Sequence, residues 1–156
     1  MLRRTVLLLT LALPFAAVAN PAATPTPATD LRYTHSEADD SPLLRDYNGE
    51  PWYGMLANCA GYYMAASQVQ GVPPEVSQAL RKQANFFATV ASFRLARDRG
   101  LEKTIHEPVI AIANAAEARA TERGLVADPG RQQSMRVLCG AHLNAYERVV
   151  PGMELK

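Results

Sequence analysis

The chain has 156 residues, and its 16 basic and 15 acidic residues give a formal net charge of +1. Nucleic-acid-binding proteins usually carry a clear basic excess, so this balance argues against a nucleic-acid partner. The length suits one domain with an apolar core, and the sequence contains no internal repeat that would indicate a second domain.

Residues 1–19 have the pattern of a cleaved secretory signal peptide. Arg3 and Arg4 give a positive start, an apolar run follows, and positions 17–19 read Ala-Val-Ala, which predicts cleavage after Ala19. The apolar run is shorter than the roughly 20 residues of a membrane-spanning helix. We therefore expect a periplasmic or secreted protein with no membrane span after cleavage; the alternative is an uncleaved anchor. Removal of Arg3 and Arg4 reduces the 16 basic residues to 14 and makes the net charge −1.

Residues 20–50 are predicted to form a flexible lead. Its first part is rich in Pro and Thr, a composition that buries too little apolar surface to order itself. The second part is acidic but includes Tyr33, Leu43, Leu44 and Tyr47. We expect some of these apolar groups to contact the domain, and the sequence leaves open whether the acidic lead docks as a whole.

Residues 51–152 form the predicted helical domain, followed by a short tail at 153–156. Apolar residues recur with helical spacing in four segments. The first predicted helix spans residues 52–70. The second begins at Pro74 and is capped by Gly100, and its two adjacent apolar stripes predict that it is the central helix.

The third predicted helix begins with a Thr104–Glu107 capping box, and its continuity around Pro108 is open. Its many alanines predict a close approach to another helix. The fourth has Asp128 as its N-cap and stops at Pro151. Four amphipathic helices with short connections predict an all-α fold, an antiparallel four-helix bundle without a sheet.

Two cysteines, Cys59 and Cys139, are predicted to form one disulfide that joins the first helix to the last. An exported chain with two cysteines is most simply explained by one bond. That bond would close a loop of about 80 residues and would stabilise the fold by roughly 4 kcal/mol in the chain-entropy model. The spacing excludes a Cys-x-x-Cys redox motif.

Aromatic and basic side chains on the first two predicted helices are the candidate contacts for a partner. Exposed aromatic residues are favoured in interfaces, and residues 81–103 contain six basic side chains against two acidic ones. The alternatives are that the aromatic rings line the core edge and that the basic side chains are solvated or contact the chain's own acidic lead. The candidates are Trp52, Tyr53, Tyr62, Tyr63, Arg94 and Arg97.

His142 lies one turn after Cys139 on the inner face of the fourth predicted helix, at the level of Met55 in an antiparallel first helix. A Met and a His from two helices resemble the haem ligation of four-helix periplasmic b-type cytochromes. The resemblance covers these two positions and implies that they would be haem ligands. The alternative is a buried histidine hydrogen-bonded to a neighbour such as Tyr62 or Asn58.

The sequence shows no paired carboxylates, no nucleophile motif and no phosphate-binding loop, so we predict no catalytic residues and no metal ligands. No cofactor is expected outside the haem alternative. The interpretation that follows is an exported, non-enzymatic binding protein of the bacterial envelope that acts through contact with a protein partner. In general character it is similar to small helical periplasmic inhibitors and immunity proteins. The alternatives are a periplasmic haem or small-ligand carrier and an enzyme without a recognisable motif.

Overall fold

The computed structural model describes residues 30–149. Its elements are a short 3-10 helix, Pro42–Tyr47, and four α-helices: α1 Trp52–Ser67, α2 Pro74–Asp98, α3 Glu107–Glu122 and α4 Pro129–Val149. The predicted signal peptide at 1–19, the Pro/Thr-rich stretch at 20–29 and the tail at 153–156 lie outside the described residues. Within residues 30–149, no helix combines the length and the apolar character needed to cross a membrane.

The four α-helices form the predicted all-α bundle, and α1 and α4 run antiparallel. Trp52 at the start of α1 packs against Tyr146 near the end of α4, with ring centroids 5.7 Å apart. Seven residues later in α1, Cys59 forms the predicted disulfide with Cys139, seven residues earlier in α4; their Cα atoms are 5.7 Å apart. The disulfide therefore joins the first helix to the last.

The central helix is α1, so the prediction that α2 is central is wrong. α1 packs extensively on both α2 and α3 and also contacts α4, and thirteen of its sixteen residues are buried. It contains no charged side chain, which lets neighbours cover it on every side. α2 carries several charges, and it leaves Val76 and Phe93 45% and 46% exposed.

The close helix approach predicted from the alanines of the third helix occurs between α1 and α3. A Cβ atom added at Gly61 would overlap the carbonyl oxygen of Ala113 and lie 2.8 Å from the Cβ atom of Ala116. Such a contact requires backbone movement, because the nearest atom belongs to the α3 main chain. Glycine at position 61 therefore sets the spacing between the two helices.

The start of α3 differs from the predicted capping box. The helix begins at Glu107 with His106 as N-cap, and no side chain caps it. Thr104 Oγ1 lies 3.2 Å from His106 Nε2, and His106 Nδ1 lies 3.0 Å from Ser92 Oγ of α2. The threonine is thus engaged with a side chain that contacts α2. Pro108 falls in the first turn, and the helix is continuous after it.

Local hydrogen bonds explain two other helix ends. α4 starts as predicted, because Asp128 Oδ1 accepts a hydrogen bond from the backbone N–H of Arg131 at 2.7 Å. α1 ends at Ser67, three residues before the predicted Gln70. There the Ser67 carbonyl oxygen accepts a hydrogen bond from Ser77 Oγ at 2.6 Å, which ties the end of α1 to the start of α2.

Residues 30–50, which we call the docked segment, lie against the bundle. Tyr33 and Leu44 are 1% and 0% exposed. Tyr33 packs on Trp52 at the start of α1, and the 3-10 helix that contains Leu44 contacts α4. These apolar contacts are the docking that the sequence left open.

Two ion pairs also hold the docked segment. Asp30 accepts two hydrogen bonds from the Arg99 guanidinium, at 2.9 and 3.2 Å. The hydrogen bond from Arg99 holds the pKa of the Asp30 carboxyl below its usual value. Asp40 pairs with Arg148 near the end of α4. The segment is therefore tied to the chain just after α2 and to the last turns of α4.

Candidate functional site: a cleft along α3

Most of the predicted partner contacts are buried. Trp52, Tyr62, Tyr63 and Arg94 are all no more than 8% exposed. Tyr53 is half-buried and Arg97 is exposed. Only these last two are more than 8% exposed, so the fold does not present the six side chains as one exposed surface. Tyr62, although buried, lines a surface cavity.

Tyr62 and Tyr63 are adjacent, and they point to different neighbours of α1. The Tyr62 hydroxyl donates a hydrogen bond to the backbone carbonyl of Gln132 in α4 at 3.2 Å. The Tyr63 ring stacks on Phe87 of α2, with centroids 5.5 Å apart and an interplanar angle of 12°. Burial raises the pKa of both hydroxyls. Both side chains therefore serve helix packing.

Arg94 belongs to a buried ion pair. Its Nε atom lies 2.9 Å from Asp98 Oδ1, and both side chains are 3% exposed. The guanidinium also lies over the Tyr146 ring, 5.6 Å from its centroid. Asp98 accepts a further hydrogen bond from the Leu31 backbone N–H at 3.1 Å, and burial raises the pKa of its carboxyl. Arg94 thus pairs within its own helix. The contact between the basic stretch and the acidic lead, one of the alternatives considered above, is made by Arg99 with Asp30.

His142 is 1% exposed and lies beside the disulfide. Its Nδ1 atom is 3.5 Å from Cys59 Sγ, and its ring packs edge to face on Tyr47, with centroids 4.7 Å apart. Nε2 has no hydrogen-bond partner among the described residues. Burial lowers the pKa of His142 to about 4, so the imidazole is neutral at pH 7. The expected bond to Tyr62 or Asn58 does not form, because their side chains bond Gln132 and Arg119 instead.

Met55 and His142, the two predicted haem positions, are both 1% exposed, and they differ in their relation to a surface cleft. Met55 lines a surface cleft. His142 is not among the lining residues, and the Tyr47 ring, which does line the cleft, packs against it. A haem that enters the cleft would therefore reach Met55 directly, but it would have to displace Tyr47 to reach His142 Nε2.

This cleft, which we call the α3 cleft, runs between α3 and the docked segment, with α1 as its floor. It consists of two adjoining cavities of about 580 and about 240 Å³. Tyr47, Asn58 and Arg119 line both cavities and mark their junction. There the Arg119 guanidinium donates a hydrogen bond to Asn58 Oδ1 at 3.0 Å.

One face of α3 lines the cleft along most of the helix and on into the loop that follows. The lining positions recur at steps of one, three and four, which keeps them on a single helix face. They are Ala111, Ile112, Ala115, Ala116, Arg119, Ala120 and Arg123. The exposed members of this face include two alanines, Ala111 and Ala115.

The two ends of the α3 cleft carry opposite charge. Asp46 and Glu50 of the docked segment line the larger cavity, and both raise the pKa of the Tyr47 hydroxyl, after burial as the main cause. Arg123 lines the smaller cavity, beyond Arg119 at the junction. None of these four charged residues forms an ion pair with another described residue.

The α3 cleft was missed at the sequence level, although a signal for it exists. The alanines noted in the third predicted helix include Ala116 and Ala120, and Ala111 and Ala115 stand beside them on the helix surface. The apolar face of α3 is therefore wider than contact with α1 alone requires. The acidic end comes from the docked segment, whose position the periodicity of the helices does not reveal.

The described residues contain no group of three or more His, Cys, Asp or Glu side chains placed to hold a metal ion. The α3 cleft has two arginines and two carboxylates at its edges, and Gly54, Met55 and Asn58 of α1 lie in its floor. Such an arrangement suits binding of an amphipathic group. Comparison of the chain with models of known families, with curated proteins and with solved structures finds no match in any of the three.

Proposed function

We propose that the chain is an exported, non-enzymatic binding protein of the bacterial envelope that acts through contact with a partner protein, as an inhibitor or an immunity protein does. The contact surface in this proposal is the α3 cleft. The observation that carries the proposal is an open, largely apolar cleft along α3. The charged side chains at its edges form no ion pair with another described residue.

The composition of the α3 cleft supports a protein partner. Protein interfaces combine an apolar centre with a polar, solvent-accessible rim. Ala111, Ile112 and Ala115 supply apolar surface in the larger cavity. Asp46, Glu50 and Arg119 are exposed at its edge. An apolar side chain of a partner would displace water from the floor, and the charged rim would fix its orientation.

Two features support export. The pattern of residues 1–19 is that of a secretory signal peptide. The bond between Cys59 and Cys139 is of a kind that persists in oxidising compartments. Together they favour the periplasm or the exterior as the location of the partner.

A variant in which a large side chain fills the cleft tests the proposal. Ala115→Trp places a large side chain in the cleft, and Ala79→Trp adds the same side chain at an exposed position of α2 that does not line it. Each protein is expressed with its own leader, tagged, and used to capture partners from envelope and culture-fluid extracts. We expect a stoichiometric partner with the unmodified protein and with Ala79→Trp, and its loss with Ala115→Trp. Equal capture by all three proteins would remove the α3 cleft from the proposal.

A haem carrier is the second candidate. It is favoured by the Nε2 atom of buried His142, which has no hydrogen-bond partner in the part of the chain that the structure describes. Haem is titrated into the purified protein, and visible absorption is recorded. Binding through Met55 and His142 requires a new absorption band that weakens in both Met55→Ala and His142→Ala. Tyr47→Ala should speed its appearance, since Tyr47 packs against His142. An unchanged spectrum with the unmodified protein rejects this candidate.

A further inference from the structure

The α3 cleft has the length of a short helix. Its lining positions on the α3 side run from Ala111 to Arg123, which is about 18 Å at the rise of an α-helix. A partner helix of the same length has about 12 residues, or somewhat more than three turns. An amphipathic helix in a groove is a common mode of recognition and uses apolar anchors one turn apart.

Small residues line the floor and one side of the larger cavity. Gly54 belongs to α1, and Ala111 and Ala115 belong to α3. Small side chains let a further helix backbone come close. The protein already uses such a contact where Gly61 of α1 meets Ala113 and Ala116 of α3. The α3 cleft therefore offers a helix the same kind of surface on which α1 and α3 meet.

The charges of the cleft select a direction for that helix. The larger cavity holds Asp46 and Glu50 together with Arg119, and it includes Ala111 toward the start of α3. The smaller cavity holds Arg119 and Arg123 and lies toward the end of α3. Helices favour acidic residues in their first turn and basic residues in their last, because these oppose the helix dipole. A helix with this common polarity meets opposite charge at both ends only when it runs antiparallel to α3.

We propose that the occupant of the α3 cleft is an amphipathic helix of the partner protein, about three turns long and antiparallel to α3. Its first turn carries acidic residues that face Arg119 and Arg123. Its last turn carries basic residues that face Asp46 and Glu50. This inference rests on the proposed function and specifies the chemistry of the partner.

A displayed library of helical peptides of about 14 residues tests the inference. Apolar residues are fixed at positions i, i+3, i+4 and i+7, and all other positions vary freely. Selection uses the unmodified protein, with counter-selection on Ala115→Trp. A second selection uses a charge-reversed protein that combines Asp46→Lys, Glu50→Lys, Arg119→Glu and Arg123→Glu.

The control for charge reversal changes two exposed residues of α2 outside the cleft, Glu75→Lys and Arg81→Glu. Circular dichroism and thermal melting confirm that each variant is folded. We expect peptides with an acidic start and a basic end to be enriched on the unmodified protein and on this control. They should bind the charge-reversed protein at least about tenfold more weakly, and that protein should enrich the opposite polarity.

Each of the other outcomes overturns a stated part of the inference or of the proposed function. Peptides that depend on the open cleft but show no charge polarity, or the opposite polarity, overturn the inference and leave the proposed function standing. If the selection yields no peptide whose binding is lost with Ala115→Trp, both the inference and the proposed function are overturned. α3 itself starts with Glu107 and carries Arg119 in its last turn. If the protein dimerises and Ala115→Trp abolishes the dimer, the occupant of the cleft is therefore a helix of a second copy of the chain, and the inferred partner helix is wrong.

Discussion

The rings of Tyr33 and Trp52 pack edge to face, with centroids 5.0 Å apart and an interplanar angle of 77°. Tyr33 belongs to the docked segment and Trp52 begins α1, and neither is more than 2% exposed. The Tyr33 hydroxyl donates a hydrogen bond to Asp40 Oδ2 at 2.8 Å. The docked segment thus contributes a side chain to the core, and the bundle is incomplete without it.

Tyr33→Ala should lower the free energy of unfolding by about 3–5 kcal/mol, the usual cost of removing a large buried aromatic ring. Urea denaturation followed by circular dichroism measures the change. Leu43→Ala is the control in the same segment, because Leu43 is 51% exposed, and it should change stability by less than about 0.5 kcal/mol. Similar losses in both variants would contradict the core role of Tyr33.

Arg94→Ala should destabilise the protein by about 3–5 kcal/mol, because it leaves the Asp98 carboxylate buried without its partner. Arg97→Ala is the matched control on the same helix, where the side chain is exposed, and it should have little effect. Chemical denaturation compares the two. A stable Arg94→Ala protein would show that the buried pair is not needed for folding.

Gly61→Ala should destabilise the fold by about 1–3 kcal/mol or more, because the added Cβ atom overlaps the backbone of α3. Gly140→Ala makes the same change in α4, where no atom lies within 4 Å of the new Cβ atom. It should stabilise α4 by up to about 1 kcal/mol through helix propensity. Thermal melting measures both, and a neutral Gly61→Ala would mean that α1 and α3 are not closely packed there.

The stability of the protein should fall as pH decreases from about 6.5 to about 4. The pKa of His142 drops from 6.5 to about 4 on folding, so the unfolded chain binds the proton first and acid favours unfolding. The stabilisation is present above pH 6.5, and about 3 kcal/mol of it is lost by pH 4. Urea denaturation at a series of pH values measures the slope.

His142→Gln isolates this effect, because glutamine does not titrate. The variant should show a flatter pH dependence than the unmodified protein between pH 4 and 6.5. Asp98 acts in the opposite direction, since its raised pKa favours the folded state as its carboxyl takes up a proton. Asp98 is present in both proteins, so its contribution cancels in the comparison. Identical slopes would rule out His142 as the titrating group.

Local signals predicted the helices well, and failed where a contact from a distant part of the chain intervened. Asp128 caps α4 as its sequence position indicates, through a bond to a residue three positions away. Thr104 does not cap α3, because it bonds His106, which contacts Ser92 of α2. The predicted partner residue Arg94 is buried by Asp98 and by Tyr146 of α4, and nothing in the local sequence reports that second neighbour.

The sequence by itself determined the number and order of the α-helices, the all-α class and the pairing of Cys59 with Cys139, because periodicity, caps and two lone cysteines are local or countable features. Only the tertiary structure decided which helix is central and where the α3 cleft lies. Those features depend on which faces meet, and the deciding contacts join residues far apart in the chain, as Asp30 does with Arg99. Burial and charge at such contacts are properties of the assembled fold.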